Sequence, residues 1–298
     1  MKRRLTTVTI LTLLTCLLSC ATRSAGRSLD NPFYAFNNGM RSQGPTDPAE
    51  QAALLAELGF DGFEGYDLDQ LPRLAEELHR RELEVCSIYF QVNIDSSEAP
   101  YDPRIAQYLA TFLADRGVIL TVHLHSQQFK PSDPAGDEQA VPILRELADL
   151  AREHGALVAV YHHVNFWAES IDDGIRLSEK VNRPNFGAAF NLCHWLQLEG
   201  ELDLPKRLDA ILPHLLSVSI CGAAGGPDAK GAGWERLIQP LDRGSFDNYA
   251  LLEALNARGY TGPIGLQCYA ISLPTREHLG RSMLVWQEFR KRSRASDR

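Results

Sequence analysis

The sequence predicts a single α/β domain folded as a (β/α)8 TIM barrel, and three observations carry that prediction. Short apolar runs alternate with helical patterns from residue 31 to the end of the chain. Eight such runs can be counted, in units averaging about thirty residues, the size of a barrel repeat. No glycine-rich phosphate fingerprint follows the first run, which sets aside a doubly wound open sheet.

In order, the predicted strands cover 33–37, 62–64, 84–90, 118–123, 157–162, 187–191, 216–221 and 264–268. The segments between them place apolar residues at helical spacing, as in Ala53, Leu54 and Leu58, or Leu144, Leu147 and Leu150. Asp47 followed by Pro48 forms an N-cap with proline at the first helical position, and Gly59, Gly155 and Gly259 fall where helices should stop. No linker divides the chain. One connection, 222–244, is long and glycine-rich, and such a loop inside a compact domain commonly serves as a lid.

The amino terminus reads as an address. Lys2, Arg3 and Arg4 precede a short apolar stretch ending at Ser19, too short for a membrane span and typical of a secretory signal. Leu17-Leu18-Ser19-Cys20 resembles a bacterial lipobox, in which Cys20 is lipidated and becomes the first mature residue; cleavage near Ser24 to Gly26 is the alternative and would release a soluble protein. The expected organisation is a signal over 1–19, a linker over 20–30, the barrel over 31–293 and a tail over 294–298. The expected location is outside the cytoplasm, on a lipid anchor at Cys20 facing the periplasm, with no other membrane contact.

The net charge of −8 becomes three units more acidic once the signal is removed, which argues against nucleic acid as a partner. Cys86, Cys193, Cys221 and Cys268 lie in or beside apolar runs without CxxC spacing and read as buried free thiols.

In a TIM barrel, function sits at the carboxy-terminal ends of the strands. Those positions here are Asn37, Glu64, Tyr89, His123, His125, His162, His163, Asn191, His194, Ser219 and Gln267. Five of the nine histidines fall among them, whereas His154 and His214 end helices and suit the helix dipole. Neighbours on a strand face opposite ways, so only one of His162 and His163 should reach the pocket; His162 is taken as that residue. Trp167, Trp195 and Trp234 could stack on a sugar ring or cover the core edge, and Trp195 is taken as the ligand contact. Arg243 is the expected cation at the pocket edge.

GFDGFEGYD at 59–67, VHLHS at 122–126, VAVYHH at 158–163, FNLCH at 190–194, PLDRGSFD at 240–247 and GPIGLQCY at 262–269 resemble, in order, landmarks of the xylose isomerase-like sugar isomerase/epimerase superfamily, which also contains class II apurinic endonucleases. The resemblance implies a divalent metal held by a Glu after strand five, an Asp in Asp-x-x-His after strand six, a His after strand seven and a Glu after strand eight. This chain has Tyr161 or its histidine neighbours, Asn191 with His194 kept, Ser219, and Gln267 at those places. Amides preserve shape and lose charge, so no metal cofactor is expected, although a three-imidazole site from His123, His162 and His194 stays open.

The resemblance therefore implies an enzyme moving a proton beside the carbonyl of a free or keto-sugar, or a related elimination or hydration, with a degraded metal site. Glu64, His162 and His194 would be catalytic; His123, Asn191, Ser219, Gln267 and Trp195 would bind the carbohydrate. The alternative is a carbohydrate-binding barrel that has lost its chemistry. An endonuclease is disfavoured by charge and by the incomplete metal set.

Overall fold

The computed structural model describes residues 28–296. Residues 1–27, with the expected export signal, the expected lipidation at Cys20 and most of the expected linker, lie outside the described residues.

Eight parallel strands close into a barrel in sequence order. They are β1 (Phe33–Ala35), β2 (Gly62–Gly65), β3 (Glu84–Asn93), β4 (Ile119–His125), β5 (Leu157–Tyr161), β6 (Phe186–Asn191), β7 (Leu215–Ile220) and β8 (Ile264–Leu266). The helices are α1 (Pro48–Leu58), α2 (Leu71–His79), α3 (Arg104–Leu109), α4 (Asp137–Glu153), α5 (Ile171–Val181), α6 (Leu192–Glu199), α7 (Leu204–Ile211), α8 (Trp234–Leu237), α9 (Asn248–Ala257) and α10 (Thr275–Ser296). The closing helix runs past residue 293, so 294–296 continue α10 instead of forming a tail. No described helix is long and apolar enough to cross a membrane.

The expected caps are in place. Asp47 accepts from the Ala49 and Glu50 N–H groups, and Gly59 closes α1 at φ 86°, a backbone region that glycine enters without a Cβ clash. Ser170 and Asp173 form a reciprocal capping box at the start of α5.

Strand alternation divides the side chains into two layers. Phe33, Phe63, Val122, Val158, Val160, Phe190, Val218 and Leu266 turn outward into the large core shared with the helices. Tyr34, Phe36, Ile119, Ala159, Tyr161 and Ala189 form a separate cluster inside the barrel. That inner cluster plugs the barrel, so the interior is packed and the space for a ligand is pushed to the strand ends. Gly265 makes room for it: a Cβ there would lie 2.2 Å from Phe36 Cε1 and 2.9 Å from Tyr34 Cζ.

The four cysteines among the described residues are free; three are buried and Cys86 is half-buried. The connection after β7 is pinned, with Gly222 and Gln239 exchanging backbone hydrogen bonds of 3.0 and 2.8 Å. A Cβ on Gly222 would sit 2.1 Å from the Pro240 carbonyl oxygen, so only glycine fits there. This connection carries α8 over the barrel mouth.

Candidate functional site

A cavity of about 390 Å³ opens at the carboxy-terminal ends of the strands. One wall is built by β1, β2 and the turn after β1. On β2, Phe63 faces outward, so alternation turns Glu64 into the barrel, where it is 1% exposed. Asn37 clamps it: the side-chain Nδ2 donates to Glu64 Oε1 at 2.6 Å and the backbone N–H at 3.3 Å. Glu64 Oε2 is buried without a hydrogen-bond partner among the described residues. Burial pushes this carboxyl up to about 8, against the opposing pull of Asn37 and Arg41. It is therefore mostly protonated at neutral pH.

Imidazoles form the facing wall. His123 and His125 share the inward phase of β4, and their rings meet with Nδ1 of one 2.8 Å from Nε2 of the other. His163 follows β5, and its Nδ1 lies 2.8 Å from the Val164 carbonyl oxygen, so Nδ1 donates and Nε2 is left as an acceptor. His194 stands in the first turn of α6, where its Nδ1 accepts the Val164 N–H at 3.3 Å. That bond places the proton of neutral His194 on Nε2. The His163 and His194 rings lie 4.0 Å apart, and the C=O and N–H of one residue, Val164, assign opposite roles to these adjoining imidazoles.

Burial keeps all four imidazoles neutral. It pulls His123 down to about 3, aided by His125 and His163, and His163 down to about 4. His194 falls well below the ordinary histidine range, and His125 falls too, both through burial first. Phe166 stacks on His163 at 3.8 Å, and Trp234 of α8 meets His194 edge-on at 5.1 Å.

Between the walls lie Tyr89, Tyr161 and Gln267. The Gln267 Oε1 is saturated, accepting from Asn38 Nδ2 at 2.5 Å and from the Cys268 and Tyr269 N–H groups at 2.9 Å each. Its Nε2 donates to the Tyr161 hydroxyl at 3.1 Å. Tyr161 keeps its proton, because burial raises it well above the usual tyrosine range, and can in turn donate.

Of the residues expected at the site, Glu64, His123, His194 and Gln267 line this cavity together. Four others do not. His162 faces the helix layer: it is buried behind the strand, with Nδ1 against the Ala189 carbonyl oxygen at 3.1 Å, and His163 takes the inward position. Asn191 and Ser219 bind each other, Ser219 Oγ donating to Asn191 Oδ1 at 3.1 Å, and are sealed beneath the cavity. Trp195 packs outward against Phe190 and Phe246, leaving Trp234 as the tryptophan at the site. The pocket-edge cation is Arg41, on the turn after β1, and not Arg243.

His163 was within reach of the sequence. Val158 and Val160 are the β-branched residues of that run and Tyr161 the polar aromatic, so the inward phase 159, 161, 163 was available. Arg41 and Trp234 had no such signal, since neither lies on a strand.

The residues at the metal positions of the family do not fit a divalent cation. Asn191 Oδ1 is already engaged by Ser219 and Cys193, and Gln267 Oε1 has three donors. Neither amide carries the negative charge that such ions select. With His162 turned away, the three-imidazole alternative also loses a member. Among the described residues, no group of three or more His, Cys, Asp or Glu side chains is arranged to hold a metal ion.

An inwardly plugged barrel with its polar groups gathered at the strand ends defines a TIM-barrel ligand or active site. A family model described as "Xylose isomerase-like TIM barrel" matches residues 52–288, and the chain belongs to that family. No curated protein matches it by sequence. Among solved structures it is similar to an L-ribulose 3-epimerase, at 16% identity and TM-score 0.69, covering 89% of this chain and 96% of that one. It is similar to the IOLI protein solved with a zinc atom, at 16% identity and TM-score 0.68, over 88% and 98% of the two chains. It also resembles the 3-keto-D-glucoside 4-epimerase YcjR from E. coli, at 16% identity and TM-score 0.65, over 87% and 99%. Identities this low establish the shared fold.

Proposed function

We propose that this chain is a carbohydrate-active enzyme that moves a proton on a carbon next to the carbonyl of a free or keto-sugar, and that it does so without a divalent metal. Isomerisation and epimerisation share that step, and elimination or hydration can follow from it. One observation carries the reading: a buried carboxyl with a raised pKa shares a cavity with neutral imidazoles on the facing wall. β2 and β6 lie four strands apart in a ring of eight, so Glu64 and His194 approach a ligand from opposite sides.

The roles follow from the hydrogen bonds. A carboxyl that titrates near the working pH is well matched to proton transfer, and its ionised form is a stronger base than an exposed carboxylate. Glu64 takes the proton from carbon, and the bonding electrons move into the C–C bond and onto the carbonyl oxygen. His194 Nε2–H and the Tyr161 hydroxyl stabilise that oxygen as it gains charge. His163 Nε2 accepts from a sugar hydroxyl and holds the ring of the substrate in register. Return of the proton from protonated Glu64 to the neighbouring carbon, with the hydroxyl proton of the enediolate passing from its own oxygen to the former carbonyl oxygen, gives the isomer. The likeness to solved sugar epimerases supports the substrate class.

The test is metal-stripped protein incubated in deuterated buffer with aldoses, ketoses and keto-sugars, read by mass spectrometry of the recovered sugar. Deuterium at a single carbon of one sugar, unaffected by chelator, is expected. Exchange that requires added metal overturns the metal-free reading. Binding of a sugar with no exchange favours a non-catalytic carbohydrate-binding barrel.

A further inference from the structure

We propose that the ligand of this pocket carries an anionic oxygen group, a carboxylate or a phosphate, and that Arg41 receives it. The inference rests on the reading that the pocket takes a sugar, and adds which kind.

Arg41 follows the turn formed by residues 37–40, at the mouth of the cavity. Its guanidinium sits over the Tyr66 ring, 5.4 Å from the centroid, and its Nη2 donates to Asn37 Oδ1 at 3.2 Å. Those two contacts hold the group in place while using one of the five N–H donors of an arginine. Among the described residues Arg41 makes no ion pair. Other arginines on the barrel do: Arg73 with Asp47, Arg104 with Asp102, Arg207 with Glu199 and Arg281 with Asp242. Arg145, Arg236 and Arg243 likewise make no ion pair among the described residues, but of these four Arg41 alone lines the cavity, where it acts on the buried Glu64 through space.

The rest of the lining sharpens this. Glu64 is the one carboxyl among the described residues of the wall, and it lies deep and mostly protonated, its Oε1 committed to Asn37. The imidazoles are neutral. Arg41 is thus the single full charge facing the cavity near neutral pH, and a planar guanidinium with free donors suits paired oxygens of a carboxylate or phosphate. Asn37 joins the two ends of the device, accepting from Arg41 while donating to Glu64, so an anion bound at Arg41 sits one residue from the proton-transfer group.

The test is direct binding by saturation-transfer NMR with two sugar series: glucose, glucuronate and glucose 6-phosphate, and the matching galactose set. Within at least one series, an anionic member is expected to bind about tenfold more tightly than the neutral parent, with the preference weakened at 0.5 M salt. A preference for the uronate identifies the carboxylate as the group received, and a preference for the phosphate ester identifies the phosphate. Arg41→Gln should reduce the preference to about twofold or less, and Arg41→Lys should retain part of it. Equal binding of neutral and anionic sugars, no binding by any of the six, or a preference that survives Arg41→Gln overturns the proposal. Deuterium exchange measured on the same samples separates the two readings: anion preference without exchange removes the catalytic proposal and leaves this one standing.

Discussion

The barrel has a cavity at each end, and the larger one is at the amino-terminal end of the strands, at about 840 Å³ against about 390 Å³. Several charged groups around the larger cavity are paired or hydrogen-bonded. Arg116 meets Glu84 at 3.4 Å, Arg258 meets Asp209 at 2.7 Å, and Asp61 accepts the Phe33 N–H at 2.7 Å. At the smaller cavity the polar groups are buried and held in unusual protonation states, and Arg41 is left without an acid. Folding alone has no use for a protonated glutamate facing neutral histidines, since burying polar groups costs stability unless they are fully bonded. Buried polar groups, and not volume, set the carboxy-terminal end of this barrel apart.

Substitutions at the two ends should separate accordingly. The largest effect is expected from Glu64→Gln, which keeps the Asn37 hydrogen bond and removes the proton acceptor; deuterium exchange into the sugar should fall by about 10²–10⁴-fold. His194→Ala, which removes the Nε2–H donor, should lower exchange by about 10²–10³-fold. A smaller loss for Glu64→Gln than for Glu84→Gln at the opposite end would break the comparison.

The pH profile is the next measurement. The carboxyl of Glu64 is raised from 4.5 to about 8, so the basic form is scarce below that pH. The rate should rise about tenfold per pH unit and level off above pH 8, because acid protonates the base. His123 and His163 titrate near 3 and 4, below the range of this rise, and burial holds His194 well below the ordinary histidine range. A plateau beginning near pH 5 would show that the base is not a carboxyl raised by burial, and so would overturn the state assigned to Glu64.

A smaller effect belongs to the plug between the two ends. Gly265→Ala forces a methyl group into the Phe36 and Tyr34 rings and should destabilise the fold by about 1–3 kcal/mol, read as a lower melting temperature. Smallest of all is Arg116→Ala beside the larger cavity. Its partner Glu84 is half-exposed, so stability should change by no more than about 0.5 kcal/mol and exchange not at all.

Strand order and spacing were readable because each strand is a local pattern, an apolar run bounded by caps and glycines, and the eight repeats leave few ways to close. Site residues on strands were readable in proportion to how clearly their phase was marked. Glu64 follows outward Phe63, and His123 sits in a regular alternation, so both face the cavity as expected. His162 and His163 follow the last residue of β5, where phase must be extrapolated, and the choice fell on the wrong neighbour. Asn191 and Ser219, expected to bind the carbohydrate, satisfy each other below the floor, a pairing across β6 and β7 that no one-dimensional pattern displays. Trp195 and Trp234 differ only in which side of their helices meets the barrel.

The closed (β/α)8 architecture and the strand ends at which polar residues gather were legible in the chain alone, because period, caps and residue type are written locally along it. Only the tertiary structure decided that Glu64 is neutral, that Val164 gives His163 and His194 opposite proton-bonding roles, and that Arg41 stands at the mouth without an acid. Those properties arise from desolvation and from contacts between distant segments, and both exist only once the barrel has closed.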